Sequence, residues 1–150
     1  MNTRELTKWI REEHDKVSGL IEKLQERVAV RPRSNQARWL QDVREQFEHL
    51  RAHLIKHMAL EEQDGYMVAV AEHRPILTKE IDRLAHEHAE LARIMESIQR
   101  ELSEASPEDQ LLLLDCGRRI QSLLQYVDHH ERDENLLVMS AFTEDIGTKD

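Results

Sequence analysis

Apolar residues recur along most of the chain at steps of three and four, the spacing that places them on one face of an α-helix. The pattern occupies residues 6–28, 40–61, 77–102 and 113–137. Because the connections between these stripes are short, they predict an all-α protein, an up-down-up-down antiparallel four-helix bundle with the stripes facing inward.

Turn-forming residues separate the stripes. Pro32 disfavours helix in the residue before it and is expected to end the first helix. Gly65 is expected to interrupt or end the second helix, and residues 66–74 form either a helical continuation or an ordered loop. Ser106 followed by Pro107 predicts the N-terminus of the last helix, with the serine as its cap.

The length and composition agree with one bundle. A chain of 150 residues can bury a sizeable core as a single domain. Charged residues make up 34% and aromatic residues only 4%, which favours long helices over a sheet. We expect the bundle to span residues 1–140 and residues 141–150 to form a flexible C-terminal tail.

The charge distribution excludes some partners. The net charge of −9 and the lack of a Lys/Arg cluster argue against a nucleic-acid surface. The N-terminal residues are charged throughout, and no stretch approaches the ~20 apolar residues of a membrane span. We therefore expect a cytoplasmic protein. The single cysteine, Cys116, lies within an apolar stripe and is expected to be a buried, unreactive thiol.

Polar residues take core positions on every stripe. The motif His-x-x-x-Glu occurs at His57 and again at His130, and spacing of four places both side chains on one helical face. Another histidine precedes each motif by 43 and 42 residues. The two halves of the chain therefore repeat each other, which predicts an approximate two-fold axis. The six residues are His14, His57, Glu61, His88, His130 and Glu134.

These six side chains can bind metal. Burying four imidazoles and two carboxylates without partners would cost several kcal/mol, which coordination to dications would offset. A structural polar network and chance surface positions are the alternatives. Two imidazoles per ion with two shared carboxylates leave open positions, which is typical of non-haem iron. Structural zinc prefers a closed set, usually with cysteine. Manganese and zinc remain alternatives.

The pattern H…HxxxE…H…HxxxE resembles the hemerythrin-like family, the HHE cation-binding domain, over nearly the whole chain. The resemblance implies two non-haem iron ions joined by an oxo or hydroxo bridge. It assigns the ligands by position: His14 and His57 to one iron, His88 and His130 to the other, and Glu61 and Glu134 as bridges.

Three further glutamates flank the proposed ligands and are also familiar from the family: Glu13, Glu62 and Glu87. They are either solvated surface residues or hydrogen-bond partners of the ligand histidines.

The chain departs from the oxygen carriers of this family. Those proteins have a fifth histidine one turn beyond the third-helix ligand, where this chain has Ala92, and one turn before His88 stands Leu84. The simplest site is therefore symmetric and open at both irons. This resembles variants linked to reactions with NO, peroxide or O₂, or to iron sensing, more than a reversible carrier.

Two residues complicate the symmetric picture. His53 lies one turn before His57, and Tyr126 is its counterpart one turn before His130. Either is a candidate for a fifth ligand, a proton donor behind the ligands or a redox-active side chain. Leu54 occupies the strict core position, so His53 is equally consistent with a flanking role. The other histidines are expected to face solvent: His49, His73, His86 and His129.

The leading hypothesis is a diiron protein that binds and reacts with a small oxidant (NO, O₂ or hydrogen peroxide). The alternatives are a module that senses iron or oxygen, or binds O₂, without turnover, and an iron donor for iron–sulphur repair. Members of that last branch usually carry an additional N-terminal domain with cysteine. The sequence leaves open whether the protein is an enzyme and which electron donor it uses. It predicts a small diatomic or peroxide ligand, and no nucleic acid or membrane partner.

Overall fold

The predicted stripes form long α-helices, and a computed structural model describes residues 2–30 and 33–147, with side chains described as far as Phe142. No strand occurs in this part of the chain. The helices are α1 (Thr3–Ala29), α2 (Gln36–Gln63), α3 (Tyr66–His73), α4 (Thr78–Glu104) and α5 (Gln110–Gly147). A short 3₁₀ turn at Pro75–Leu77 leads into α4. The all-helical prediction is therefore confirmed.

The four long helices enclose one core. α1 packs against α2 and α5, and α4 packs against the same two helices. The apolar core has two parts, a larger cluster that includes Phe47 and Ile120 and a smaller one that includes Tyr66 and Leu84. Along α1, α4 and α5 the change from one cluster to the other falls at buried histidines or glutamates, and α2 places His57 and Glu61 near its end, after its contribution to the larger cluster. A polar layer therefore crosses the bundle between two apolar regions.

Gly65 separates α2 from α3. A Cβ at this position would lie 2.7 Å from the Glu61 Cα and 2.8 Å from the Leu60 carbonyl oxygen, so the close approach of the two chain segments requires glycine. The segment that follows, which the sequence left open between helix and loop, is α3. Its first residue, Tyr66, is fully buried.

The start of α5 corrects one prediction. The helix begins at Gln110, not at the predicted cap Ser106. Residues 106–109 form a turn in which the Asp109 amide donates to the Ser106 carbonyl at 3.0 Å and the Asp109 carboxylate accepts from the Ser106 amide at 2.9 Å. Pro107 suits the second position of such a turn as well as it suits a helix start.

The end of α5 corrects a second prediction. The helix continues to Gly147, and Ala141 and Phe142 are buried in the smaller apolar cluster. The predicted flexible tail over 141–150 is therefore wrong for these first residues, because Phe142 adds apolar surface that the bundle buries. Residues 148–150 lie outside the described residues.

Cys116 is free and buried in the larger cluster. Burial and the neighbouring carboxylate of Glu101 raise its pKa to about 11, so the thiol stays protonated and unreactive at neutral pH. Within the described residues, none of the helices combines the length and the apolar character that crossing a membrane requires.

Candidate metal centre

The polar layer contains all six residues that the sequence singled out, and each of them is buried. α1 contributes His14, α2 contributes His57 and Glu61, α4 contributes His88, and α5 contributes His130 and Glu134. The two glutamates have no exposed surface. Four helices that are distant in sequence therefore bring two carboxylates and four imidazoles to one level of the bundle.

The six side chains form two groups of four that share both glutamates. The first group is His14, His57, Glu61 and Glu134, and the second is Glu61, His88, His130 and Glu134. Within each group, one potential ligand atom per residue lies within 4.8 Å of all the others. The grouping places His14 with His57 and His88 with His130, the pairing that the resemblance implies.

Glu61 presents a different oxygen to each histidine pair. Its Oε2 lies 3.3 Å from His57 Nε2 and 3.7 Å from His14 Nε2. Its Oε1 lies 3.2 Å from His88 Nε2. A carboxylate in this orientation can bridge two ions, one oxygen to each.

Glu134 has the corresponding orientation. Its Oε1 lies 3.3 Å from His14 Nε2, while its Oε2 lies 3.5 Å from His88 Nε2 and 3.4 Å from His130 Nε2. Glu61 and Glu134, one from each His-x-x-x-Glu motif, therefore face the same two potential metal positions.

The atoms that face these positions lack hydrogen-bond partners. The Nε2 atoms of all four histidines, both Glu61 carboxylate oxygens and Glu134 Oε1 are buried and unpartnered within the described part of the chain. A buried polar atom without a partner costs about 1–3 kcal/mol. Nitrogen and oxygen donors with this convergence suit divalent metal ions, which would satisfy all of them. The residues therefore fit a metal centre.

Electrostatics within the metal-free layer favour protonated histidines. Burial disfavours the charged form of His14, but the facing carboxylates of Glu134 and Glu61 outweigh burial and raise its pKa to about 10. The same balance raises the pKa of His88 to about 10. Burial alone would raise the pKa of Glu134, yet contacts with the histidines, His130 foremost, hold it well below its usual value. Metal ions entering this layer must therefore displace protons.

The outward nitrogen of each histidine faces an oxygen from a neighbouring helix. An imidazole held through Nδ1 presents Nε2 to a metal ion. The Nδ1 pairs are His130 with Glu87 at 2.7 Å, His14 with Asn135 at 2.8 Å, His57 with Glu13 at 3.5 Å and His88 with Glu62 at 3.5 Å. The Glu87 contact is a hydrogen bond and favours that alternative for this residue. The His57 and His88 Nδ1 atoms face Glu13 and Glu62 without a hydrogen bond in the described residues.

Three residues of the site carried no signal in the sequence. Asn135 supports His14 from α5, although the two residues are 121 positions apart. Tyr66 donates a hydrogen bond of 2.6 Å to Glu134 Oε2. Burial and the nearby carboxylate of Glu134 raise the Tyr66 pKa further above its usual value, so the phenol keeps its proton.

Glu131 is the third residue that the sequence missed. It is 6% exposed, and its Oε2 lies 3.7 Å from His14 Nε2 without a hydrogen-bond partner in the described residues. Burial raises its pKa to about 8, although the contact with His14 acts in the opposite direction. Its place in the sequence, between His130 and Glu134, would have identified it as a site residue only if its burial could have been predicted.

The two ambiguous residues lie farther from the centre. His53 Nε2 is 3.2 Å from Glu13 Oε2, so it stands behind the carboxylate that faces His57. Tyr126 is 53% exposed and lines a cleft of about 420 Å³ outside His130. The four histidines expected to face solvent are all exposed: His49, His73, His86 and His129.

The fold and site together define a helical bundle with a buried histidine and carboxylate centre that could hold metal ions. The family model of the hemerythrin HHE cation binding domain matches residues 5–142. The chain belongs to the hemerythrin HHE family. Comparisons with curated proteins and with solved structures gave no significant match.

Proposed function

We propose that the chain holds two iron ions, joined by an oxo or hydroxo bridge, in its polar layer. One ion would occupy a His14/His57 position and the other a His88/His130 position, with Glu61 and Glu134 bridging them. The orientation of both carboxylates toward both histidine pairs supports this assignment, as does the set of unpartnered donor atoms. The donor set contains only nitrogen and oxygen atoms, which favours iron over structural zinc.

We also propose the finer architecture, an up-down-up-down antiparallel bundle with an internal two-fold repeat. The neighbour relations of the four long helices support it. The contacts of the histidines also support the internal repeat. Glu13 on α1 faces His57 on α2, as Glu87 on α4 faces His130 on α5.

The proposed function is to bind and react with a small oxidant, NO, O₂ or hydrogen peroxide. The observation that carries it is the incomplete histidine set, because α4 has no imidazole one turn before or after His88. Leu84, one turn before it, is buried in the apolar core, and Ala92 follows one turn after it. When bound, the iron ions would supply the electrons and the open coordination positions.

The chain's own residues prepare the site for this chemistry. Apolar clusters on both sides of the layer limit the access of water. Tyr66 holds a proton 2.6 Å from Glu134 Oε2 and fixes the orientation of that carboxylate. The cleft of about 420 Å³ outside His130, lined in part by Leu91 and Ile94, offers a small molecule a route toward the layer.

A second candidate is a module that senses iron or oxygen, or binds O₂, without turnover. It is favoured by the position of the polar layer, since loss of metal leaves buried, unpartnered atoms between the two halves of the core. Metal removal would therefore loosen the bundle. Iron donation for iron–sulphur repair and a cytoplasmic location stay predictions from the sequence.

The test exposes the iron-loaded protein separately to peroxide and to NO and follows oxidant loss and the optical spectrum. Rapid peroxide loss or a nitrosyl spectrum supports the proposal. Glu61→Ala and Glu134→Ala should lose metal and reactivity together, because each removes a bridge. His73→Ala, which changes an exposed histidine, is the matched control and should retain both. Large unfolding on chelation with negligible turnover would favour the sensor instead.

A further inference from the structure

Glu131 is a buried carboxylate that has no role in the proposed six-residue diiron centre. It lies on α5 between His130 and Glu134 and is 6% exposed. Its Oε2 has no hydrogen-bond partner in the described residues. A buried carboxylate in this state is costly and calls for a ligand or a cation.

The unpartnered oxygen of Glu131 faces the inner nitrogen of His14. The distance from Glu131 Oε2 to His14 Nε2 is 3.7 Å, the same as the distance from Glu61 Oε2 to that nitrogen. Two atoms bound side by side to one ion at about 2.1 Å lie roughly 3 Å apart. A small rotation of the Glu131 side chain would therefore bring its oxygen to the ion that His14 binds.

The matching place in the other motif has no carboxylate. There Met58 follows His57, as Glu131 follows His130, and Met58 is buried in the larger apolar cluster. A thioether is a soft ligand and a poor one for non-haem iron. The outer partners differ as well, because His14 faces the neutral Asn135 where His88 faces the carboxylate of Glu62.

We propose that Glu131 is an additional ligand at the His14/His57 position, which makes the two metal positions unequal. This rests on the proposed function. The His14/His57 position has one more protein oxygen, so a small exogenous ligand binds at the His88/His130 position. The cleft that reaches His130 from outside, with Tyr126 on its wall, lies on that side of the bundle.

The experiment compares the full chain with Glu131→Met, which introduces the residue of the other motif, and with the nearly isosteric Glu131→Gln. Asp128→Asn removes an exposed carboxylate from the same helix and is the control. Each protein is titrated with Fe(II) without oxygen, and Mössbauer spectra are recorded on ⁵⁷Fe-loaded samples. The number of azide ions that bind to the oxidised protein gives the number of open coordination positions on the iron ions. Circular dichroism establishes that each variant is folded.

The wild type and Asp128→Asn should bind two iron ions with two distinct Mössbauer doublets and one azide. Both Glu131 variants should bind one of the two iron ions about tenfold or more weaker and the other within twofold of wild type. At saturating iron they should take up two azide ions. Wild-type iron affinities and azide stoichiometry in both folded variants would overturn the proposal. A wild type that binds no iron would instead overturn the proposed function and this inference with it.

Discussion

The phenolic oxygen of Tyr66 lies 2.6 Å from Glu134 Oε2, in a part of the core with no exposed surface. The tyrosine reaches this place because α3 begins directly after Gly65 and packs against α1, α2, α4 and α5. Glu134 is the carboxylate that also faces three histidines. A short helix outside the four-helix frame therefore controls the orientation of a proposed bridging ligand.

Tyr66→Phe should lower the free energy of unfolding of the metal-free protein by about 1.5–3 kcal/mol, the range for hydrogen bonds to charged groups. The phenylalanine keeps the packing but leaves Glu134 Oε2 without its donor. Urea unfolding in the presence of a chelator measures the change. Tyr126→Phe is the matched control, since that tyrosine is 53% exposed, and an equal loss in both variants would contradict the role of the buried hydrogen bond.

Glu87→Ala should weaken iron binding by about 10- to 100-fold, the usual cost of losing the hydrogen-bond partner of a ligand histidine. Glu87 Oε1 lies 2.7 Å from His130 Nδ1 and fixes the inward direction of Nε2. Competition with a calibrated chelator measures the affinity. Glu90→Ala removes an exposed carboxylate from the wall of the same cleft and should leave the affinity unchanged. Equal affinities in both variants would show that the contact does not support the ligand.

Iron binding should release protons at pH 7. The carboxylates around the layer raise the pKa of His14 and of His88 to about 10, so each imidazole carries a proton that the metal displaces. Calorimetric titration in two buffers of different ionisation enthalpy should give about two protons or more per two iron ions. Protons then compete with iron for the histidines up to about pH 10, well above the pKa near 6.5 of an unperturbed histidine. Release of no protons would contradict the paired histidine and carboxylate layer.

The same pKa values predict that the stability of the metal-free protein and the stabilisation added by iron change in opposite directions with pH. A histidine whose folded pKa is raised stabilises the fold fully below its unfolded pKa near 6.5, and this contribution is lost as pH rises toward 10. The melting temperature of the metal-free protein should therefore fall between pH 7 and 10, while the stabilisation that iron adds should rise. Thermal unfolding with and without chelator tests both. A metal-free protein whose stability rises over this range would contradict the assignment.

Gly65→Ala should destabilise the protein by about 1–3 kcal/mol, the usual cost of overpacking, and should also weaken metal binding. The new Cβ would meet backbone atoms of Glu61 and Leu60 at 2.7 and 2.8 Å, so the segment that orients Glu61 must shift. Gly19→Ala in α1 is the control, because its Cβ meets nothing within 4 Å and alanine stabilises a helix interior by about 0.5–1 kcal/mol. Denaturant unfolding and iron content distinguish the two variants.

The helices and the six polar residues of the layer could be predicted because both follow local periodicity. A histidine that continues an apolar stripe must face the same core as its neighbours, whatever the tertiary packing. The start of α5 could not be read in this way, since Ser106 and Pro107 fit a turn and a helix cap equally well.

The supporting residues depend on contacts between distant parts of the chain. Tyr66 and Glu134 are 68 positions apart, and His14 and Asn135 are 121 positions apart. Asn135 and Glu131 also occupy positions that local patterning assigns to no fixed role. Only the packing of α5 against α1 brings both of them to His14.

Elemental analysis of the protein, loaded with Fe(II) without oxygen and then desalted, measures whether the buried layer binds two iron ions. We expect two iron ions per chain and, after exposure to air, near-ultraviolet absorption of an oxo-bridged pair. The Glu61→Ala variant prepared in parallel should retain at most one. A folded wild-type protein that retains no iron would rule out the diiron centre and leave a helical bundle with a polar core.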